Sequence, residues 1–260
     1  DIYRGKTSNF FYPKTIKEAL KFSSVNENIK YLSGGTDLNL QIKDLYSKIN
    51  FIQLSRIKEL TKFYVKDREL IIGAACTLED LLPLFDQKLK PFAEIIRRFG
   101  STQIRSQATM SGNLCTASPI GDIAPSLMAL GSTVKIASNS GDKFIAVEDL
   151  FADYRKTVLG PNDILSYINI PLLEKETEFF SWKISKRYDQ DITTVSMSAT
   201  VNCNSIGLIK SCKICFGGLA SIPIRTKRIE DSMIGKLPNE DLENKLDIVR
   251  KEFNPLSDLR

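Results

Sequence analysis

The order of strand-like and helix-like runs changes along the chain, and this order constrains the fold more than any single motif. In the first two thirds the two patterns alternate. Pro13 and Thr15 precede "IKEALKFSS", whose apolar residues recur at helical spacing, and "IKYLSGG" and "NFIQLS" read as short strands on either side of "TDLNLQIKDL". "ELTKFYVKDRELIIGAAC" has two alternating runs joined around Lys66-Asp67, a hairpin pattern. "TLEDLLPLFD" has a Thr cap and an acidic first turn, and "KPFAEIIRRFG" has Pro91 near its start and Gly100 past its end, so both predict helices. "STVKIAS" and "DKFIAVEDLF" read as strands about the turn "NSGD", and "DILSYINIP" as a strand closed by Pro171. After "LLEKETE", Leu172 to Glu178, long strands come first: "EFFSWKISKRYDQDITTVSMSATVNC" and "GLIKSCKICFGGLA", about a turn at Asn204 to Gly207. Two helices, "RTKRIEDSMIG" and "NEDLENKLDIVRKEF", then follow. Alternation followed by segregation predicts an α+β fold with a boundary near Leu172 to Glu178.

Composition narrows the functional classes. Hydrophobic residues make up 42% and charged residues 26% of 260, ordinary for a globular chain with a sizeable core. The net charge of +5 is small and spread out, which argues against a nucleic-acid partner. No apolar stretch approaches the roughly 18–20 residues of a membrane span. The chain begins at Asp1 and stops at "NPLSDLR", and reads as a piece of a longer polypeptide. Cys76, Cys115, Cys203, Cys212 and Cys215 are odd in number and mostly lie in apolar runs. This predicts reduced thiols and a cytoplasmic setting. Histidine is absent, which removes Ser-His-Asp and Cys-His catalysis and any His-containing zinc site. Redox chemistry carried by a bound cofactor remains open, because there the protein mainly binds and orients.

Four motifs could carry chemistry. "YLSGGTDLNL" runs a strand into Gly34-Gly35, a turn that permits close approach of a ligand to the backbone and can form an anion-binding nest. Asp37 there reads as a helix cap, and a plain strand–turn–helix link is the competing reading. "ATMSGNL" offers Thr109, Ser111 and Asn113 around Gly112, reading as a polar loop before a helix that starts at Asp122, holds Pro125 in its first turn and stops at Gly131. Cys212-x-x-Cys215 reads as buried strand thiols, since residues three apart on a strand face opposite ways. In "SWKISKRYDQDI", Lys183 and Arg187 could reach a cofactor or lie on an exposed strand face, and Phe99 could stack on a flat ring or belong to the core.

Several of these stretches, in order, resemble the flavin domain of the molybdenum hydroxylases. "YLSGGTDLNL" is similar to that family's A-G-G-T-D-L signature. "RRFGSTQIRSQATMSGNLCTASPIGDIAPSLMALGS" resembles its T-x-G-G-N and S-P-I-x-D motif. "YRKTVLGPNDIL" and "WKISKRYDQDI" are similar to segments of its xanthine dehydrogenase branch. "CFGGLASIPIRTKRIE" resembles the carboxyl-terminal flavoprotein domain, and "FNPLSDLR" the start of a D-x-R-A-S motif.

The resemblance implies an FAD-binding domain of PCMH type over residues 1–175, made of two α/β subdomains meeting near residue 60. A smaller α+β carboxyl-terminal flavoprotein domain, cut short, would occupy residues 176–260. It implies that Leu32, Ser33, Gly34, Gly35, Thr36, Asp37 and Leu38 wrap the FAD pyrophosphate, with Thr109, Ser111, Gly112 and Asn113 opposite. Phe99 would lie against the isoalloxazine ring, Asp122, Leu165 and Lys183 would line the flavin site, and Tyr154 and Arg155 would border the nicotinamide nucleotide entrance. It also implies partners: a [2Fe–2S] domain and a molybdopterin-binding subunit of the same enzyme, with NAD as electron acceptor in purine catabolism. The alternatives are a flavin subunit for carbon monoxide, nicotinate or an aromatic thioester, or a scaffold without flavin. Ser111 departs from the family, which has glycine there. Its side chain could crowd the FAD phosphates or supply a hydroxyl donor.

Overall fold

The computed structural model describes residues 2–5, 8–41, 48–253 and 255. The end of "TDLNLQIKDL" and most of "FNPLSDLR" lie outside them. Among the described residues three main sheets carry the chain, and the mixture of helices and sheets is the α+β class expected.

The first sheet has the order Ile2–Arg4, Ser8–Phe11, Ile49–Gln53, Ile29–Leu32. Its last three strands are parallel, with Phe11 beside Ile52 and Leu32 beside Gln53. Parallel neighbours need a crossover. Helix Ile16–Ser24 makes the crossover from Ser8–Phe11 to Ile29–Leu32, past the Ile49–Gln53 strand between them, and is capped by Thr15, whose hydroxyl accepts from the Glu18 N–H. Ala19 and Leu20 of this helix are buried against Ile52, Leu54, Ile57 and Leu60.

The second sheet is antiparallel throughout, ordered Phe63–Lys66, Glu69–Gly73, Ile164–Pro171, Thr133–Ala137, Lys143–Ala146. Its hairpin turns at Asp67-Arg68, one residue later than the expected Lys66-Asp67, and both residues take left-handed backbone angles. Leu70, Ile72, Val134, Ile136, Ile168 and Ile170 face the main core, where they meet helices Leu78–Lys88, Lys90–Arg97, Met110–Thr116 and Ala124–Ala129. The expected strand "DKFIAVEDLF" breaks into Lys143–Ala146, a 3-10 turn at Val147–Asp149 and the short strand Phe151–Asp153.

The third sheet is an antiparallel meander, Thr177–Ile184, Val195–Cys203, Ile209–Gly217, Ile224–Arg225. One face packs on helices Lys227–Met233 and Leu242–Glu252, and the other on the main core. Cys212 and Cys215 show this division. Cys212 packs in the outer cluster and Cys215 in the main core, so the pair cannot converge on one ligand. Burial pushes the Cys212 thiol up to about 11 and the Cys215 thiol further. Among the described residues no helix is long and apolar enough to cross a membrane.

Candidate functional site

The first glycine turn follows strand Ile29–Leu32. Gly35 has φ of +74°, a conformation glycine adopts freely, and helix Leu38–Gln41 begins three residues later. Gly34 has a different reason to lack a side chain. A Cβ there would fall 1.8 Å from the Gln107 carbonyl oxygen and 3.1 Å from the Ala108 nitrogen. The close approach expected for a ligand is therefore made by the protein's own backbone, at the start of the second turn.

The second turn corrects the reading of "ATMSGNL" as a polar loop. Residues Met110–Thr116 form a helix. Thr109 caps it in extended conformation, its hydroxyl accepting from the Gly112 N–H at 3.0 Å, and Ala117 ends it in the left-handed region. Ser, Gly and Asn are weak helix formers, so the segment is held from outside. Met110 and Leu114, four apart and on one face, are both buried in the main core. Thr109 also pairs with Thr77, the cap of helix Leu78–Lys88, while Leu78 N–H donates to the Ala108 carbonyl. Asn113 accepts from the Ile123 N–H at 3.4 Å.

Ser111 does not force an unusual backbone, because it sits inside this helix. Its side chain is buried, and its hydroxyl donates to the Ala74 carbonyl and lies 3.3 Å from the Thr109 hydroxyl.

Between the turns lies a cleft of about 950 Å³, at the upper end of the range for ligand sites. It gathers Leu32 to Leu38, Phe99, Thr109, Ser111, Gly112, Asn113, Asp122 and Leu165. Phe99 packs on the main core and also lines the cleft. Arg155 reaches the wall, whereas Tyr154 is half exposed and outside it.

Lys183 is the exception among the expected wall residues. Its side chain is 1% exposed and stands behind the wall. Its ammonium lies 2.9 Å from an Asp122 carboxylate oxygen and donates to the Arg98 carbonyl at 3.3 Å. Asp122 also accepts from the Thr193 hydroxyl. This pair explains why the next helix begins at Ala124 rather than at the expected Asp122, whose carboxylate is drawn to the lysine. Arg187, the other cation of that segment, is exposed and pairs with Asp191.

Wall segments that the sequence reading did not assign to the site include the turn Leu159 to Ile164, signalled by "GPND", and Gln190 to Thr193. The wall carries carboxylates at Asp37, Asp122, Asp163 and Asp191, and each is engaged by protein. Asp37 accepts from Thr116 at 3.4 Å, Asp163 from the Gly160 N–H at 2.9 Å, and Asp191 from the Arg187 N–H at 2.7 Å. The Asp191 carboxyl is accordingly held below its ordinary range, chiefly by that backbone bond. Among the described residues Lys30 and Arg155 are the cations on the wall, so backbone N–H and hydroxyl groups are well placed to share in holding an anion there. Cys115 opens onto the cleft yet lies deep within it, and desolvation pushes its thiol up to about 12.

These features suit FAD. The volume is sufficient, Gly112 is exposed towards the cleft, and aromatic Phe99 shares the wall with apolar Leu165 and Ile120.

Residues 6–173 match the family described as the FAD-binding domain in molybdopterin dehydrogenase. Residues 180–260 match the carbon monoxide dehydrogenase flavoprotein C-terminal domain. The xanthine dehydrogenase of Emericella nidulans is 30% identical over 97% of this chain and 20% of its own length. The chain thus spans about a fifth of the length of the curated xanthine dehydrogenases it matches. The glyceraldehyde dehydrogenase medium chain of Sulfolobus acidocaldarius is 26% identical over 95% of this chain and 88% of that one. In structure, a carbon monoxide dehydrogenase from Hydrogenophaga pseudoflava superposes with a TM-score of 0.90 at 21% identity, covering 99% of this chain and 90% of that one.

Proposed function

The chain belongs to the family of FAD-binding domains of molybdopterin dehydrogenases, and from that premise we propose that it is the flavin stage of a xanthine dehydrogenase-type molybdenum hydroxylase. In this reading electrons arrive from [2Fe–2S] clusters on another domain or subunit, leave to NAD, and originate from a purine at a molybdopterin-binding subunit. The setting is cytoplasmic. Residues 1–175 form the FAD-binding domain, with its two subdomains meeting near residue 60, and residues 176–260 the carboxyl-terminal flavoprotein domain.

The observation that carries the proposal is the pair of glycine turns meeting across one cleft, with Phe99 and Leu165 on its wall. Residues Leu32 to Leu38 and Thr109, Ser111, Gly112 and Asn113 would hold the pyrophosphate from two sides. Phe99 would set the plane of the flavin ring. Asp122 would face the ring, fixed by Lys183 and Thr193 from behind. FAD supplies the two-electron and hydride chemistry that the side chains lack. The chain's contribution is to bind, orient and exclude water, tasks that need no histidine.

The test is retention of flavin. Purified with added FAD and passed through gel filtration, the folded chain should keep visible flavin bands, and NADH should bleach them. A folded chain without flavin bands overturns the proposal. Flavin that NADH does not bleach favours a second reading, a flavin subunit of another molybdenum hydroxylase. Two observations support that reading: the carboxyl-terminal match to the carbon monoxide dehydrogenase flavoprotein, and the near full-length match to a glyceraldehyde dehydrogenase medium chain. A scaffold without flavin has lost its main support, since Ser111 is accommodated within a helix.

A further inference from the structure

We propose that Ser111 is a positioning residue, whose hydroxyl acts with that of Ser33 to fix the spacing of the two glycine turns through one shared acceptor, the Ala74 carbonyl. The inference rests on reading the cleft as an FAD site. Ser33 belongs to the first turn and donates to Ala74 at 2.9 Å. Ser111 belongs to the second and donates to the same oxygen. A carbonyl oxygen has two lone pairs, so the two hydroxyls fill it. Ala74 is 2% exposed, which leaves little water to replace them.

Ala74 is itself anchored. It follows strand Glu69–Gly73, and its N–H donates to the Ser166 carbonyl on the neighbouring strand, while the Ala75 N–H donates to the Leu60 carbonyl. The shared oxygen is therefore a fixed point of the second sheet, from which both turns are hung. On the Ser111 side the chain extends one step further, to the Thr109 hydroxyl that caps the helix. Gly34 closes the arrangement from below, where its bare Cα lets the first turn rest on Gln107. Ser111, the departure from the family pattern, thus sets the width of the clamp before any ligand arrives.

The arrangement predicts a particular non-additivity. Removing one hydroxyl leaves the buried carbonyl with one partner. Removing both orphans it, and an orphaned buried acceptor costs more than a lost bond. The experiment measures FAD release and apo-protein Tm for wild type, Ser33→Ala, Ser111→Ala and the double variant. Each single variant should release FAD roughly threefold faster, and the double variant at least about tenfold faster than the product of the two. Release rates that multiply without excess overturn the shared-acceptor inference. So do unchanged release rates beside a lowered Tm, which would mark the serines as merely structural. If the double variant does not fold, the single variants decide, and release equal to wild type in both overturns the inference. A wild-type chain that holds no flavin removes the parent reading and the inference together. A wild-type chain that holds flavin with variants that match it removes the inference alone.

Discussion

Gly34 and Gly112 both line the cleft, one from each glycine turn, and they are glycines for opposite reasons. At Gly34 the space for a side chain is filled by protein, with the Gln107 carbonyl 1.8 Å from where a Cβ would be. At Gly112 the space opens to the cleft, and among the described residues outside the helix's own backbone the neighbour within reach is the Thr109 hydroxyl at 3.0 Å. The first glycine is demanded by the fold. The second is tolerated by the fold and, on the proposed function, demanded by the ligand. A glycine-rich motif can thus record internal packing and ligand contact together, and the sequence does not separate them.

The largest expected effect breaks the comparison at its structural end. Gly34→Ala should cost about 3 kcal/mol or more, because backbone on both sides must move. Urea unfolding of the apo-protein would read it, and stability near wild type would show that the two turns do not abut. Lys183→Ala should cost about 3 kcal/mol, since it leaves the Asp122 carboxylate largely buried without its cation. That loss should appear in the same assay, and retained stability would mean that Asp122 reaches solvent. Gly35→Ala should cost less, about 1–2 kcal/mol for a left-handed residue bearing a Cβ, because its nearest neighbour is the flexible end of Leu32.

The smallest expected effect is chemical, and it contrasts the same two regions. Cys115 faces the cleft from the second turn's helix, while Cys76 is buried in the main core. Burial pushes Cys115 up to about 12 and Cys76 up to about 11. Both are protonated at pH 8, so alkylation should be slow there and quicken as the pH rises through 10 and above, where thiolate accumulates. FAD should slow labelling of Cys115 and leave Cys76 unaffected, as peptide mapping by mass spectrometry would show. Equal protection of both would mean that the ligand closes the whole fold rather than this cleft.

Most strands of the three sheets were legible because their alternation is strong, and helices Ile16–Ser24 and Leu78–Lys88 because Thr15 and Thr77 announce them, whereas the short edge strands Ile2–Arg4 and Ile224–Arg225 and the strand Ser8–Phe11 went unread. Helix Met110–Thr116 was not legible. Its composition opposes it, and beyond the Thr109 cap it is held by contacts distant in sequence, through Met110, Leu114 and Thr77. The start of the next helix was misplaced for a related reason: Asp122 looks like the opening of a helix, and Lys183, 61 residues away, claims it. Fourteen of the fifteen residues expected around the cofactor share one cleft wall, and Lys183 stands behind it. Spacing along the chain shows which residues occupy a loop. It does not show which side chain reaches the front and which supports it.

The most direct test of the account is the FAD affinity of Gly112→Ala beside wild type, with apo-protein stability measured in the same preparations. The account predicts that wild type retains flavin, and that the variant unfolds within about 1 kcal/mol of it, because the gain of alanine over glycine in a helix offsets its crowding of the Thr109 hydroxyl at 3.0 Å. The variant should nevertheless lose flavin on gel filtration. A variant that folds equally well and binds FAD as tightly as wild type would contradict the claim that this cleft, between these two turns, is where the cofactor is held.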